Sequence, residues 1–181
     1  MLPDVICVGR VSVDLYASER GVGFDRQQSF TKSVGGSPTN VAVAAARLGR
    51  RAAVVTKVGS DGFGDYVRAR LAEWGVGTQF IGVQAGGRTS LALIALDPPE
   101  SPQIAFYRDA AAPDTMLVET DLPTTVVQSC PVLWISHAAL AQGSTARATE
   151  AWLEQRGRAM HTVLDLDFRP ALWADVADAR R

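Results

Sequence analysis

The chain has 181 residues, 47% of them apolar, and a formal net charge of −1 at pH 7. This size and composition fit one domain with a hydrophobic core, and the near-neutral charge excludes a strongly basic protein of the kind that binds nucleic acid. The longest apolar runs, 41–46 and 91–96, have six residues each, which is too short for a membrane span.

The residues before the first predicted strand lack the basic stretch of a secretory signal. Cys7 and Cys130 both lie in apolar surroundings and are interpreted as buried, reduced thiols, not as a disulfide or a metal pair. We therefore expect a cytoplasmic protein without a metal site.

The first predicted element is a buried parallel strand over residues 4–9. Arg10 and Asp14 follow its carboxyl end, and ligands of open α/β sheets bind in the crevice beyond those ends. Asp14 is therefore either a solvated loop aspartate or a group that binds the hydroxyls of a ligand. The residues alone leave both interpretations open.

A glycine pair at 35–36 is the central feature of the next segment, which reads GGSPTN over 35–40. Adjacent glycines permit a positive φ and a close approach of the backbone to a ligand, and Pro38 favours the first turn of a helix. Asn40 would present an amide at the mouth of the turn. The strand predicted at 29–34 leads into this turn, and a strand at 52–58 follows the helix.

A second glycine-rich stretch at 59–64 precedes another predicted helix, with Asp61 as its N-cap. No Lys-Ser or Lys-Thr follows as a P-loop requires, and Gly9 does not begin a G-x-G-x-x-G fingerprint. These absences argue against a P-loop protein and against a dinucleotide-binding oxidoreductase.

Two strand-like runs, 90–96 and 103–107, are joined by a segment with three prolines and do not fit a βα alternation. We predict that they form a hairpin-like excursion from the core. Arg108 follows the second run. It is either an exposed surface charge or a planar fork for a ligand carboxylate.

The remaining predicted elements are a strand at 132–136, a helix at 144–158 and a strand at 162–166. Asp167 and Arg169 come directly after the last strand, where they either pair with each other or place charge in the ligand crevice. His137 and His161 have no partner at catalytic or metal-binding spacing. We expect His137 in a loop or pocket wall and His161 on the surface.

Residues 35–59 resemble, without a gap, the first signature of the ribokinase-like (PfkB) carbohydrate kinases, and the likeness extends over residues 4–173. It implies an α/β fold with a three-layer α/β/α core and a small β-sheet lid, truncated before the carboxyl-terminal ATP-binding half. Residues 1–181 would form one truncated domain, with lid segments at about 14–34 and 88–108 inserted in the core. A lid sheet with unpaired edges favours a homodimer.

The resemblance also implies roles for individual residues. The motifs GRxSxD, GGSPTN and DxDFRP look most like those of the 5-dehydro-2-deoxygluconokinases of inositol catabolism, and 2-keto-3-deoxygluconate kinases are the nearest alternative. The acceptor would be a sugar acid, with ATP and Mg²⁺ as the other requirements. Arg108 would bind the acceptor carboxylate, and Asp167 and Arg169 would lie toward the phosphates. The sugar itself would be bound by Asp14, Gly35, Gly36 and Asn40.

The family's Gly-Ala-Gly-Asp motif, which supplies the catalytic aspartate and the phosphate-binding turn, does not occur in this sequence. No residue of the chain is therefore assigned a catalytic role. We expect the polypeptide alone to lack kinase activity, and to be of marginal stability or prone to association, because the truncated sheet would leave apolar surface uncovered. A non-catalytic sugar-acid-binding fragment is the alternative from another functional class.

Overall fold

The computed structural model describes residues 2–158, 161–173 and 175–180. Its helices are α1 (Ser37–Arg47), α2 (Gly62–Glu73), α3 (Thr124–Ser129) and α4 (Gly143–Arg156). In chain order, its strands are β1 (Val5–Val8), β2 (Ser12–Arg20), β3 (Phe30–Gly35), β4 (Ala52–Gly59), β5 (Ile81–Gln84), β6 (Leu91–Leu96), β7 (Gln103–Tyr107), β8 (Val132–Ser136) and β9 (His161–Asp165).

The core is a five-stranded parallel sheet in the order β5-β4-β1-β8-β9. The central strand β1 pairs on one side with β4 and on the other with β8, so that Val8 lies between Val55 and Ile135. Because a strand covered on both faces needs apolar side chains throughout, the run Ile6, Cys7 and Val8 is fully buried.

Side chains on the two faces of β1 enter two separate hydrophobic clusters. Cys7 packs with residues of α1 and α2, among them Ala42 and Leu71. Ile6 and Val8 pack with residues of the opposite layer, among them Trp152 of α4. Helices therefore cover both faces of the sheet, which confirms the predicted α/β/α architecture.

A second, four-stranded sheet in the order β3-β2-β6-β7 forms the lid. β2 runs parallel to β6, whereas the β2–β3 and β6–β7 pairs are antiparallel. The hairpin-like pair predicted at 90–96 and 103–107 is therefore confirmed. β2 was not predicted as a strand, because the polar residues from Ser18 to Arg20 hide its apolar alternation. Asp14 therefore lies within a strand of the lid and not in a loop.

The predicted start of α2 is confirmed, whereas the predicted end of α4 differs from the structure. Asp61 caps α2 by accepting a hydrogen bond of 2.7 Å from the Gly64 amide. α4 ends two residues earlier than predicted, because Gly157 has a φ of +60°. The strand β5 and the short helix α3 were not predicted.

Strand β9 forms one edge of the core sheet and exposes Val163 and Leu164 there, and Leu166 directly after it is also exposed. Both cysteines are buried and free. None of the helices in the described part of the chain has the length and apolar character that a membrane crossing requires.

Candidate functional site

The turn at Gly35-Gly36 lies against the segment that follows β1. Gly36 has a φ of +108° and a ψ of 133°, and a Cβ at this position would overlap the carbonyl oxygen of Arg10. Thr39 stabilises the turn from within α1, since its Oγ1 donates to the carbonyl oxygens of Gly35 (3.0 Å) and Gly36 (2.6 Å). The positive φ predicted for this turn is thus found at Gly36.

Gly35, unlike Gly36, has no positive φ. It is needed because it leaves space for the side chain of Asp14. A Cβ on Gly35 would overlap the carboxylate of Asp14. The hydroxyl of Ser12 donates a hydrogen bond of 2.7 Å to Asp14 Oδ1. The structure therefore brings Asp14 and the glycine pair together.

The carboxyl ends of β1 and β8 meet the start of α1 beside this turn. Gly9 has a φ of +154°, and a Cβ there would overlap Ser136 Oγ and lie 3.2 Å from the ring of Pro38. Ser136 is buried and its hydroxyl has no hydrogen-bond partner within the described residues. Sequence reasoning missed Ser136, whose only signal is its place at the carboxyl end of a strand.

Asn40 is exposed on the first turns of α1. It lines a groove of about 330 Å³ together with residues of β3, α1 and the end of α2, among them Ser33, Arg47 and Trp74. Neither Asp14 nor Arg108 lines this groove. The sugar-binding role predicted for Asn40 remains a prediction.

Arg108 follows β7 and forms an ion pair with Asp114, whose side chain is 1% exposed. Asp114 Oδ2 also accepts a hydrogen bond of 2.9 Å from the Val11 amide, which follows the carboxyl end of β1. Only 17% of the Arg108 side chain is exposed, and this excludes the interpretation as a surface charge. Sequence reasoning missed Asp114, because nothing local marks an aspartate after proline as buried.

Arg10 is the second cation beside Asp114. The pKa of Arg10 is lowered to about 10, mainly by burial and also by the positive charge of Arg108, while the Asp114 carboxylate opposes both effects. The Nε atoms of Arg10 and Arg108 are buried without a hydrogen-bond partner within the described residues. Two guanidinium groups thus lie near one carboxylate, and only that of Arg108 pairs with it.

Asp167 and Arg169 pair with each other, with Arg169 Nη2 and Nε at 3.0 Å and 3.2 Å from Asp167 Oδ2. Both side chains are substantially exposed. In this structure the two residues pair with each other, and their role near the phosphates remains a prediction.

The two histidines lie in different surroundings. His137 is buried after β8, with its Nε2 3.1 Å from the carbonyl oxygen of Ala179 and its ring centroid 4.5 Å from that of Trp173. His161 is exposed at the start of β9, as predicted.

Within residues 2–158, 161–173 and 175–180, no three His, Cys, Asp or Glu side chains are grouped so that they could hold a metal ion.

Comparison with known proteins places the chain among sugar kinases. The model of the pfkB family carbohydrate kinases matches residues 2–181. A 5-dehydro-2-deoxygluconokinase from Shouchella clausii (strain KSM-K16) is 36% identical over 173 residues, which cover 94% of this chain and 53% of that protein. The chain thus spans about half the length of the curated relatives it matches.

Solved structures give the same result for the fold. Fructokinase from Xylella fastidiosa has a TM-score of 0.84 at 29% identity, covering 98% of this chain and 56% of that one. The same fructokinase with bound ATP has a TM-score of 0.83 at 28% identity, with coverages of 98% and 57%.

Proposed function

Because the chain belongs to the pfkB family of carbohydrate kinases, we propose that it is the acceptor-binding part of a sugar-acid kinase. The proposed acceptor is 5-dehydro-2-deoxygluconate, which the intact enzyme would phosphorylate on its terminal hydroxyl with ATP and Mg²⁺ in inositol catabolism. The observation that carries the proposal is the largely buried Arg108, which Asp114 holds beside the carboxyl end of β1. A guanidinium in that position suits a carboxylate better than a neutral hydroxyl.

Asp14 and the glycine pair would bind the sugar hydroxyls of the acceptor. An ionised carboxylate accepts hydrogen bonds from two sugar hydroxyls, and Gly35 leaves room for Asp14 where a side chain would displace it. Asn40 would bind a further hydroxyl from the first turn of α1. The ends of the acceptor would thus be distinguished by charge, with the acid end at Arg108.

Phosphoryl transfer depends mainly on positioning and on electrostatic stabilisation of the transferred group. In this proposal the residues of this chain orient the acceptor and exclude water from it. ATP with Mg²⁺ supplies the phosphoryl group, and Asp167 and Arg169 would lie on the side of its phosphates. Since the sequence contains no Gly-Ala-Gly-Asp motif, we expect no ATP-dependent turnover by this polypeptide alone.

Two alternative functions are considered, one with a different acceptor and one without catalysis. A 2-keto-3-deoxygluconate kinase would use the same cation for a different sugar acid, and a non-catalytic binding fragment would bind the sugar acid without a kinase partner. Calorimetric titration of the purified chain with both acids and with neutral 2-deoxy-D-glucose distinguishes the two sugar acids as acceptors. Tighter binding of 5-dehydro-2-deoxygluconate supports the proposal, and equal binding of the neutral sugar contradicts it.

The lid offers a surface for a second copy of the chain. Its edge strand β7 exposes Ile104, Phe106 and Tyr107, of which Phe106 is 73% exposed. Edge strands with apolar side chains tend to be covered by another chain, so a homodimer through the lid is the proposed assembly. Sedimentation of the wild type and of Phe106→Lys tests this, with a monomeric wild type as the contradicting result. The proposed location is the cytoplasm, where ATP is available.

A further inference from the structure

Two guanidinium groups, those of Arg10 and Arg108, lie near the buried carboxylate of Asp114 where the lid joins the core. Asp114 is already engaged on both oxygens, by Arg108 and by the Val11 amide at 2.9 Å. Its own backbone is fixed from α4, since Thr145 Oγ1 donates to the Asp114 carbonyl oxygen at 2.9 Å. The carboxylate is therefore a fixed anchor between the end of β7 and Val11 in the segment that follows β1.

Arg10 has no comparable anchor. No carboxylate of the described residues lies within 4.0 Å of its guanidinium, although Arg108 pairs with Asp114. Its Nε atom is buried and without an acceptor. A buried donor without a partner is costly and calls for an explanation.

The charges around this point do not balance, because two guanidinium groups face one carboxylate. Like charges in a partly buried site repel each other, and the lowered pKa of Arg10 reflects burial and the neighbouring Arg108. An added anion would neutralise the excess positive charge and would accept from the unused Nε–H groups. The charge around this point is thus complementary to that of a small anion such as a carboxylate.

We propose that Arg10 is a second binding residue for the carboxylate of the acceptor and that Arg10 and Arg108 together determine the preference for acidic over neutral sugars. This inference rests on the proposed function and adds a specificity-determining residue to it. The carbonyl oxygen of Arg10 lies against Gly36, so the residue is attached by its backbone to the turn that would bind the sugar. In this proposal the same short segment would lie beside the sugar at its backbone and beside the carboxylate at its side chain.

The test is calorimetric titration of the 181-residue chain with 5-dehydro-2-deoxygluconate, 2-deoxy-D-glucose and inorganic phosphate. Arg10→Gln should weaken binding of the acid by about 10- to 100-fold, the value of one hydrogen bond to a charged group, and leave binding of the neutral sugar unchanged. Arg70→Gln is the matched control, because Arg70 is an arginine of α2 that pairs with Glu73 away from this cluster. It should bind the acid as the wild type does.

Arg10→Met serves as a second neutral variant, and circular dichroism of each variant establishes that it is folded. A folded neutral variant that keeps the wild-type preference for the acid overturns the role of Arg10 and leaves the proposed function standing. Loss of folding in both neutral variants also overturns it, since Arg10 would then be structural. A wild type that prefers phosphate overturns the assignment to a carboxylate. A wild type that binds neither sugar, or both equally, overturns the proposed function as well.

Discussion

The carboxylate of Asp14 lies directly against the Cα of Gly35, in the space that a side chain on residue 35 would occupy. The two residues belong to the antiparallel strands β2 and β3, in which Ser12 pairs with Gly35 and Asp14 with Ser33. Gly35 is therefore needed for space, whereas its neighbour Gly36 is needed for its φ of +108°. One glycine pair thus meets two separate requirements.

Gly35→Ala should displace the Asp14 carboxylate and weaken binding of the sugar acid by about tenfold, the effect of losing one hydrogen bond to a charged group. Stability should change little, because the overlapping atoms are the end of a side chain that can rotate away. Calorimetric titration and thermal melting measure the two effects. Gly62→Ala, where the added Cβ meets nothing within 4 Å, is the control. Unchanged affinity of Gly35→Ala would contradict the role of Asp14.

Gly36→Ala should instead destabilise the fold, by about 2–4 kcal/mol, since strain at a positive φ adds to overlap with a backbone atom. The overlapping atom is the carbonyl oxygen of Arg10, which can move only if the backbone itself shifts. Gly49→Ala is matched in φ, at +78°, but has open space around it, and it should lose only about 1–2 kcal/mol. Urea unfolding measures both, and equal losses would show that the contact with Arg10 is unimportant.

Asp114→Asn should cost about 3–5 kcal/mol, because it leaves the largely buried Arg108 without its counter-charge. The Val11 amide keeps an oxygen acceptor in this variant, so the loss reports mainly on the ion pair. The exposed pair of Arg70 and Glu73 provides the control, and Glu73→Gln should change the free energy of unfolding by less than about 1 kcal/mol. A similar small value for Asp114→Asn would contradict the structure around Arg108.

The pKa of the Cys7 thiol is raised to about 12, mainly by burial and further by proximity to Cys130. In the unfolded chain Cys7 ionises near the ordinary value of 9.0, so the unfolded state binds fewer protons than the folded state above that pH. Stability should therefore fall as the pH rises from about 9 toward 12. Urea midpoints at about pH 8 and about pH 10.5 should differ less in Cys7→Ala than in the wild type. An identical difference would exclude Cys7 as the cause.

Asp61 links α2 to the loop before β6, because it accepts hydrogen bonds from the amides of Gly64 and Thr89, each at 2.7 Å. Burial acts to raise its pKa, but the hydrogen bonds from Thr89 and Gly64 lower it overall. The stabilisation is therefore present above the unfolded pKa and lost as the pH falls through the folded value. Asp61→Ala should cost about 1–2 kcal/mol near neutral pH. The difference from the wild type should shrink in acid, and a pH-independent difference would contradict the prediction.

Local signals in the sequence were sufficient for most of the core. The buried runs that became β1, β4 and β8, the cap at Asp61 and the glycine turn before α1 each depend on neighbouring residues, and each was found close to its predicted place. β2 was missed because its second half is polar, and β5 because a strand of four residues, of which only Ile81 is buried, carries little pattern. Asp114 was missed because its burial depends on Arg108 and Val11.

The sequence by itself determined the fold class and the glycine turn, because these follow from the periodicity of apolar residues and from backbone preferences that act over a few positions. It determined the family through the resemblance of its motifs to those of known kinases. Only the tertiary structure decided which charges meet. It paired Arg108 with Asp114 and left Arg10 without an anchor, since ion pairs and burial arise between segments that are distant in the chain and are brought together only when the lid sheet packs on the core.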